Sequence, residues 1–182
     1  MADNTASRLW LMRLTFLALA LTTVFFRLLP LETGPVRWPA PDVLLALCLA
    51  WSLRRPDYVP AVFVAAAILL TDFFFQRPPG LMAAIVVLAC EAMRKRGPGL
   101  RDAGFLAEMI LVALTILAVA LAYRVALTLF MLPRPLLGLS LLQVLFTVAI
   151  YPVVALASEW LLGVRARPPY FHDGRAPTLL HV

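Results

Sequence analysis

The sequence predicts an all-α integral membrane protein, a compact bundle of about six transmembrane helices with both termini in the cytoplasm. Hydrophobic residues make up 63% of the 182 residues, charged residues only 14%, and the mean hydropathy is +0.90. A soluble domain carries about 45–50% apolar and about 25% charged residues. The apolar residues also lie in long blocks, and basic residues collect between alternate blocks. These observations predict one bundle, residues 1–164, followed by a short basic cytoplasmic tail, residues 165–182.

The first three predicted spans cover residues 9–29, 40–53 and 59–75. The first and third approach about 20 apolar residues, the length that crosses a hydrocarbon core. The first follows a basic flank, as a signal peptide does, but its apolar run is long and no A-x-A cleavage site follows, which favours an uncleaved span. The second is short. Prolines open it, as suits a first helical turn, and Arg54-Arg55 closes it.

The last three predicted spans cover residues 79–93, 104–130 and 136–163. The fourth is built like the second, because prolines open it and the basic run Arg94-Lys95-Arg96 closes it. The glycines and proline of KRGPG, residues 95–99, predict a turn after this span. The fifth and sixth spans are long and apolar. The alternative for the two short segments is that they enter the membrane without crossing it, which leaves four spans.

The distribution of Lys and Arg predicts the orientation, because these residues collect on the cytoplasmic side of short loops. With six spans, eleven of the 16 basic residues fall on one side, four on the other, and Arg124 falls inside a span. The side with eleven holds both termini, which we therefore expect in the cytoplasm. The basic patch around residues 94–101 is also expected to attract anionic lipid head groups. The net positive charge thus needs no nucleic-acid partner to explain it.

Asp72 is the most informative polar residue, because it closes an apolar span and a charge inside a membrane is costly. Helix geometry predicts that it lies in the outer half of the bilayer, at a depth similar to that of Arg124 on the fifth span. We expect these two side chains to form an ion pair, with Arg77 nearby along the chain. Two roles stay open for Asp72: a structural acid, or a residue that binds a ligand or a partner.

Three further acids, Glu91, Glu108 and Glu159, fall near the inner ends of predicted spans, where we expect them to snorkel and to pair locally. Cys48 and Cys90 fall inside spans and are interpreted as small apolar residues, not as a disulfide or metal pair. The chain has no HExxH, GxSxG or P-loop sequence, and its acids are split between the two membrane faces. The sequence therefore predicts no enzyme activity, no metal and no cofactor.

A set of short motifs lies in the centre of the chain, within residues 41–91. They are a short apolar span ending in Trp51, then Arg55-Pro56-Asp57, Pro60, a span closing on Asp72, and the turn Pro79-Gly80-Leu81. In this order they resemble the rod shape-determining protein MreD family, in detail over about a quarter of the chain. Two features depart from the family pattern. Residues 65–68 read AAAI where a glycine is expected, and residues 73–78 replace a glycine-bearing turn.

The resemblance implies a non-catalytic inner-membrane subunit of the bacterial cell-elongation complex. Such a subunit would bind MreC directly and help to couple MreB filaments to the glycan polymerase and transpeptidase that build the lateral wall. Asp72, Arg77 and Gly80 would then shape the outer end of the third and fourth spans, near where a partner segment docks. Arg55 and Asp57, on a cytoplasmic turn, would cap neighbouring helices or contact a cytoplasmic partner.

The alternative function is that of a membrane-embedded substrate-binding subunit of an energy-coupling-factor vitamin transporter. These subunits are also small six-helix bundles that need partners. They require a ligand cavity that opens outward, lined by polar and aromatic residues from several spans. The predicted outer loops supply few such residues. A small molecule retained by the purified protein would favour the transporter, and a saturable interaction with MreC would favour the elongation complex.

Overall fold

The computed structural model describes residues 2–29, 39–100 and 104–164, and these segments contain helices and connecting loops but no strand. The all-helical prediction is confirmed. The predicted basic tail, residues 165–182, lies outside the described residues. The elements in chain order are α1 (Ala2–Leu28), α2 (Val43–Arg54), a 3₁₀ turn (Pro56–Tyr58), α3 (Ala61–Phe74), α4 (Leu81–Leu100), α5 (Gly104–Leu129) and α6 (Leu137–Leu162).

The helices differ in their ability to cross a bilayer. Among the described residues, three helical segments are long and apolar enough to do so, namely Ser7–Leu28 within α1, α5 and α6. α2 and α3 are apolar but have only 12 and 14 residues, which is about 18 and 21 Å at 1.5 Å per residue. A hydrocarbon core is about 30 Å thick. The structure therefore supports a membrane protein in which three helices are both long and apolar enough to span the bilayer.

The shortest α-helix, α2, lies at the centre of the bundle. Every residue from Leu44 to Ser52 is buried, as expected of a helix that is apolar on all sides. It packs mainly against α4 and α6, and the ring centroids of Phe16 in α1 and Trp51 in α2 are 5.7 Å apart. The surrounding helices instead expose large apolar side chains, many of them more than half exposed. Lipid is the natural solvent for such a surface.

α4 continues to Leu100, so the turn predicted at residues 95–99 is wrong. Gly97 lies where α4 passes the end of α2, and a Cβ atom there would come within 2.9 Å of the Leu53 carbonyl oxygen. Glycine is therefore needed for the close approach of two helices, not for a turn. Pro98 falls in the last turn of α4, where its missing N–H removes only one helical hydrogen bond.

α3 ends where the sequence departs from the MreD pattern, in the segment after Asp72. The Arg77 N–H donates to the Asp72 carbonyl oxygen (2.9 Å), and Gln76 has a φ of +52°. A helix that closes in this way usually has glycine at that position, since the left-handed conformation strains other residues. Gln76 thus adopts the left-handed backbone conformation that glycine adopts at lower cost.

Candidate functional site

Asp72 joins the end of α3 to the start of α4, at the end of the bundle that is called the outer end below, after the orientation predicted from the sequence; the opposite end is called the inner end. Its side chain is 0% exposed, and its Oδ2 accepts hydrogen bonds from the backbone N–H groups of Gly80 (3.1 Å) and Ala83 (3.4 Å). The N–H groups at the start of a helix have no partner within that helix. A carboxylate placed there also meets the positive end of the helix dipole. Asp72 therefore caps α4, the helix that follows it in the chain.

Gly80 supplies the turn that makes this cap possible. Its φ is +83°, a left-handed conformation that glycine adopts at little cost. A Cβ atom at this position would meet only Leu69 Cδ1, at 4.0 Å, so the backbone conformation and not the available space requires glycine. The Gly80 N–H points at the Asp72 carboxylate. Two parts of the sequence motif, the aspartate and the Pro-Gly-Leu turn, thus form one structural unit.

The predicted ion pair between Asp72 and Arg124 is absent from the described part of the chain. Arg124 Nη1 donates to the Pro135 carbonyl oxygen instead, at 3.0 Å. The physical reason is that the α4 N–H groups already satisfy Asp72 Oδ2, and equal depth in a bilayer does not fix the direction in which a side chain points. Asp72 Oδ1 is buried without a hydrogen-bond partner among the described residues. This geometry supports the structural role for Asp72.

Arg77 and Arg124 meet in a different place, a partly open cavity of about 660 Å³ at the outer end of the bundle. The cavity lies between α4, α5, α6 and the connection from α3 to α4. Tyr123 of α5 and Gln143 of α6 also line it, together with apolar side chains from the same helices. The two arginines that the sequence predicted near Asp72 are therefore brought together, but around a cavity.

An ionic network at the opposite end joins α2, α5 and α6. Arg54 Nε donates to Glu108 Oε1 (2.9 Å), and Arg54 Nη1 donates to Glu159 Oε2 (3.3 Å) and to the Ala155 carbonyl oxygen (3.2 Å). The Tyr151 hydroxyl donates to the same Glu108 oxygen at 2.6 Å. The Arg54 side chain is only 7% exposed and Tyr151 is 0% exposed. The network therefore links the inner ends of three helices largely out of contact with solvent.

Sequence reasoning missed this network. The local pairing predicted for Glu91 is confirmed by its contact with Arg94 (2.7 Å), but for Glu108 the prediction is wrong, because its partner Arg54 lies on another helix. Glu159 also reaches Arg54. The signal that could have revealed the network is the spacing of Tyr151 and Glu159, which lie eight residues apart and so on one side of α6.

Arg55 and Asp57 lie at the inner end, far along the bundle from the Asp72 cap. The Arg55 backbone N–H donates to the Trp51 carbonyl oxygen (2.8 Å) and closes α2, and its guanidinium carbon lies 5.6 Å from the centroid of the Tyr58 ring. Arg13 Nη2 of α1 donates to the Asp57 carbonyl oxygen (3.4 Å). This turn therefore helps to hold α1 against the inner end of α2.

The six predicted site residues thus form three groups: Asp72 with Gly80, Arg77 with Arg124, and Arg55 with Asp57. Within the described ranges, no three His, Cys, Asp or Glu side chains come together in a group that could hold a metal ion. Cys48 and Cys90 are both buried and free, as the interpretation of them as small apolar residues predicts. Comparison with protein-family models, with curated proteins and with solved structures gave no match for this chain.

Proposed function

We propose that this chain is a six-span, non-catalytic subunit of the bacterial cell-elongation complex, in the cytoplasmic membrane with both termini in the cytoplasm. In this role it binds MreC directly and helps to couple MreB filaments to the glycan polymerase and transpeptidase of the lateral wall. The proposal starts from the resemblance of residues 41–91 to the MreD family. The observation that carries it is that Asp72 and Gly80, two residues of that resemblance, lock α3 to α4.

The distribution of basic residues supports the proposed topology. Basic residues remain on the cytoplasmic side of a membrane, so the end of the bundle that holds the Arg54 network is assigned to the cytoplasm. α2 and α3 are too short to cross alone and are held in place by packing against longer helices. Within the described chain, the inner ends carry Arg8, Arg13, Arg54, Arg55, Arg94, Lys95 and Arg96, and the outer ends carry Arg27, Arg77, Arg124 and Arg134.

The partner surface that we propose lies at the outer ends of α1 and α3, beside the Asp72 cap. Phe73 of α3 is 64% exposed and Phe25 of α1 is 62% exposed. The Arg27 guanidinium carbon of α1 lies 5.8 Å from the centroid of the Phe75 ring, so the two helix ends are adjacent. Exposed aromatic rings at the membrane boundary suit a transmembrane or juxtamembrane helix of MreC.

The test is co-purification of tagged MreC with variants of this chain from native membranes in mild detergent. Phe73→Ala and Phe25→Ala are each expected to lower the recovery of MreC about fivefold or more, as removal of an aromatic anchor does. Phe130→Ala is the matched control, because Phe130 is also 64% exposed and lies at the outer end of α5. It is expected to leave recovery unchanged. Thermal melting of each variant separates lost binding from lost folding.

The outcomes are distinct. The proposed surface would be contradicted if neither Phe73→Ala nor Phe25→Ala lowered the recovery of MreC. It would also be contradicted if Phe130→Ala lowered that recovery as much as they do. A native purification that retains neither MreC nor elongation synthases would contradict the proposed function itself. Asp72→Lys adds a further arm, since it removes the cap that fixes the helix ends and is expected to lower recovery together with stability.

The outer cavity favours a second candidate function, the substrate-binding subunit of an energy-coupling-factor vitamin transporter. The cavity has a volume of about 660 Å³, and Tyr123 and Gln143 line it together with two arginines. These are more polar and aromatic lining residues than the predicted outer loops alone would supply. Ligand cavities of about 300–1,000 Å³ are usual for small molecules. Co-purification of a pair of ATPases, or a vitamin retained by the purified protein, without MreC, would support this function over the first.

A further inference from the structure

The outer cavity exists because α2 is short. The Asp42 backbone N–H, just before α2, donates to Thr147 Oγ1 of α6 (2.9 Å), and both residues line the cavity. α6 begins ten residues earlier, at Leu137, so about 15 Å of α6 lies beyond the start of α2. Among the described residues, the space that a full-length central helix would occupy is therefore left open in the outer half of the bundle.

Two cationic side chains line this space from different elements. Arg77 comes from the connection between α3 and α4, and Arg124 comes from α5. Arg124 uses one donor on the Pro135 carbonyl oxygen. Neither arginine is within ion-pair distance of a carboxylate in the described segments, and Asp72 acts on Arg77 only at longer range. Because a guanidinium group has five N–H donors, both retain donors for a ligand.

The other polar groups add to the positive character of the cavity. Asp42 is the one acidic side chain among the described lining residues, and its Oδ1 already accepts a hydrogen bond from the Leu45 N–H (3.1 Å) as the cap of α2. The positive end of the α2 dipole lies at this same end. Tyr123 and Gln143 bring side-chain hydrogen-bond donors. Among the described lining residues, the positive charge of two arginines and a helix N-terminus therefore exceeds the negative charge of one carboxylate.

The deeper wall of the cavity is apolar. Ile116 and Val119 line it from α5, Met82 from α4 and Val144 from α6. Ile116 lies eight residues before Arg124 on the same helix, which is about 12 Å further into the bilayer. The cavity thus has charged groups near the outer boundary and an apolar surface below them. A lipid molecule has the same arrangement, with a charged head group above its acyl chains.

We propose that this cavity binds an anionic amphiphile. Its phosphate-type head group lies between Arg77 and Arg124, and its acyl part follows the apolar wall formed by α5 and its neighbours. Arginine suits this role, because its planar fork of N–H donors matches phosphate oxygens in bidentate geometry. A free phosphate ion shares the head-group chemistry but gains nothing from the apolar wall. The inference is independent of MreC and applies whichever partner the chain has.

The experiment is isothermal titration of the purified full-length protein in a neutral detergent with three probes. Dioctanoyl phosphatidylglycerol carries the anionic head group and short chains. Dioctanoyl phosphatidylcholine carries the same chains with a compensating positive charge, and inorganic phosphate has no chain. We expect saturable binding of the phosphatidylglycerol, and binding of the other two probes weaker by about tenfold or more.

Two sets of variants, each with its own control, locate the site. Arg77→Gln and Arg124→Gln should each weaken phosphatidylglycerol binding by about tenfold, since each removes charge-assisted hydrogen bonds. Arg134→Gln is the control, because Arg134 is exposed at the same end, donates to Thr128 Oγ1 (3.1 Å) and does not line the cavity. Ala120→Phe should block the chain-binding part of the cavity, whereas exposed Ala118 lies outside it and Ala118→Phe serves as its control.

Each outcome decides the proposal. Selective phosphatidylglycerol binding that both arginine variants and Ala120→Phe weaken, and that both controls retain, supports it. Equal binding of phosphatidylcholine, or equal weakening by Arg134→Gln, would overturn the assignment of an anionic head group to Arg77 and Arg124. A third outcome is that inorganic phosphate binds as tightly as the lipid and that Ala120→Phe leaves lipid binding unchanged. This outcome would assign the arginines to a small soluble anion and would contradict the proposed binding of an amphiphile. Thermal melting of every variant verifies that it is folded.

Discussion

Removing the Glu108 carboxylate is expected to destabilise the bundle more than most single substitutions would. Glu108 Oε1 accepts hydrogen bonds from both Arg54 Nε (2.9 Å) and the Tyr151 hydroxyl (2.6 Å). In Glu108→Ala, a guanidinium group that is 7% exposed loses its nearer counter-ion and a 0% exposed hydroxyl loses its acceptor. Groups that are left buried and unpaired lower the free energy of unfolding more than the loss of an exposed contact does.

The magnitude follows from the remaining contacts. Breaking a buried ion pair by removing one partner costs about 3–5 kcal/mol. Glu159 still lies 3.3 Å from Arg54 Nη1, but its side chain is 31% exposed, so it compensates only in part. The unpaired Tyr151 hydroxyl adds about 1–3 kcal/mol. We therefore expect a loss of about 3–5 kcal/mol, which for a chain of this size lowers the melting temperature by about 6–20 °C.

The assay uses the two native cysteines. Cys48 is 0% exposed and Cys90 is 1% exposed, so a thiol-reactive fluorescent dye labels them only when the bundle opens. Melting curves of the purified protein and of Glu108→Ala in the same detergent give the shift. Neither cysteine belongs to the ionic network, so the reporter groups are unchanged by the substitution.

A combined variant tests the physical reasoning more strictly than the single one. Arg54→Met, Glu108→Leu and Tyr151→Phe together leave no buried charge or hydroxyl unpaired, and such replacements are often neutral or stabilising. We expect this triple variant to melt well above Glu108→Ala. A shift below about 2 °C for Glu108→Ala, or a triple variant that melts as low as the single one, would refute the reasoning.

Two further predictions use the same melting assay. Gly97→Ala places a Cβ within 2.9 Å of the Leu53 carbonyl oxygen and should destabilise the protein by about 1–3 kcal/mol. Its control is Gly99→Ala, whose Cβ meets nothing within 4 Å and which should gain up to about 1 kcal/mol from helix propensity. Equal effects of the two substitutions would contradict the close-approach argument. Gln76→Gly relieves a φ of +52° at the end of α3 and should raise stability by about 1 kcal/mol, and a loss of stability would show that the Gln76 side chain matters more than its backbone strain.

Much of the fold could be predicted from the sequence, because lipid imposes a simple rule on length and composition. Apolar runs of sufficient length and the prolines before the short runs located the six α-helices of the described residues. The end of α4 could not be predicted in the same way. Gly97 is used for the close approach of α4 to Leu53, and a glycine serves equally well in a turn or against a neighbouring backbone. Only the packing of α4 beside α2 distinguishes the two uses.

The candidate sites were harder to predict, because they depend on side-chain direction. Asp72 and Gly80 were both singled out, and their hydrogen bond belongs to one local turn. The ion pair expected between Asp72 and Arg124 required two helices to face each other at one depth, which no single-chain pattern determines. The inner network is harder still, since Arg54 and its partner Glu108 lie 54 residues apart on different helices.

The short central helix has a consequence for the biogenesis of this protein. Synthesis runs from the N-terminus, so α2 leaves the ribosome before α5 and α6, which carry both carboxylate partners of Arg54. A segment about 18 Å long cannot cross the bilayer unaided. In the proposed topology, we expect Arg54 to remain at the cytoplasmic surface at this stage, and α2 to reach its buried position only after α5 and α6 have been inserted. The centre of the bundle would then form last, and a chain truncated before α5 should remain an open set of helices that membrane quality control degrades.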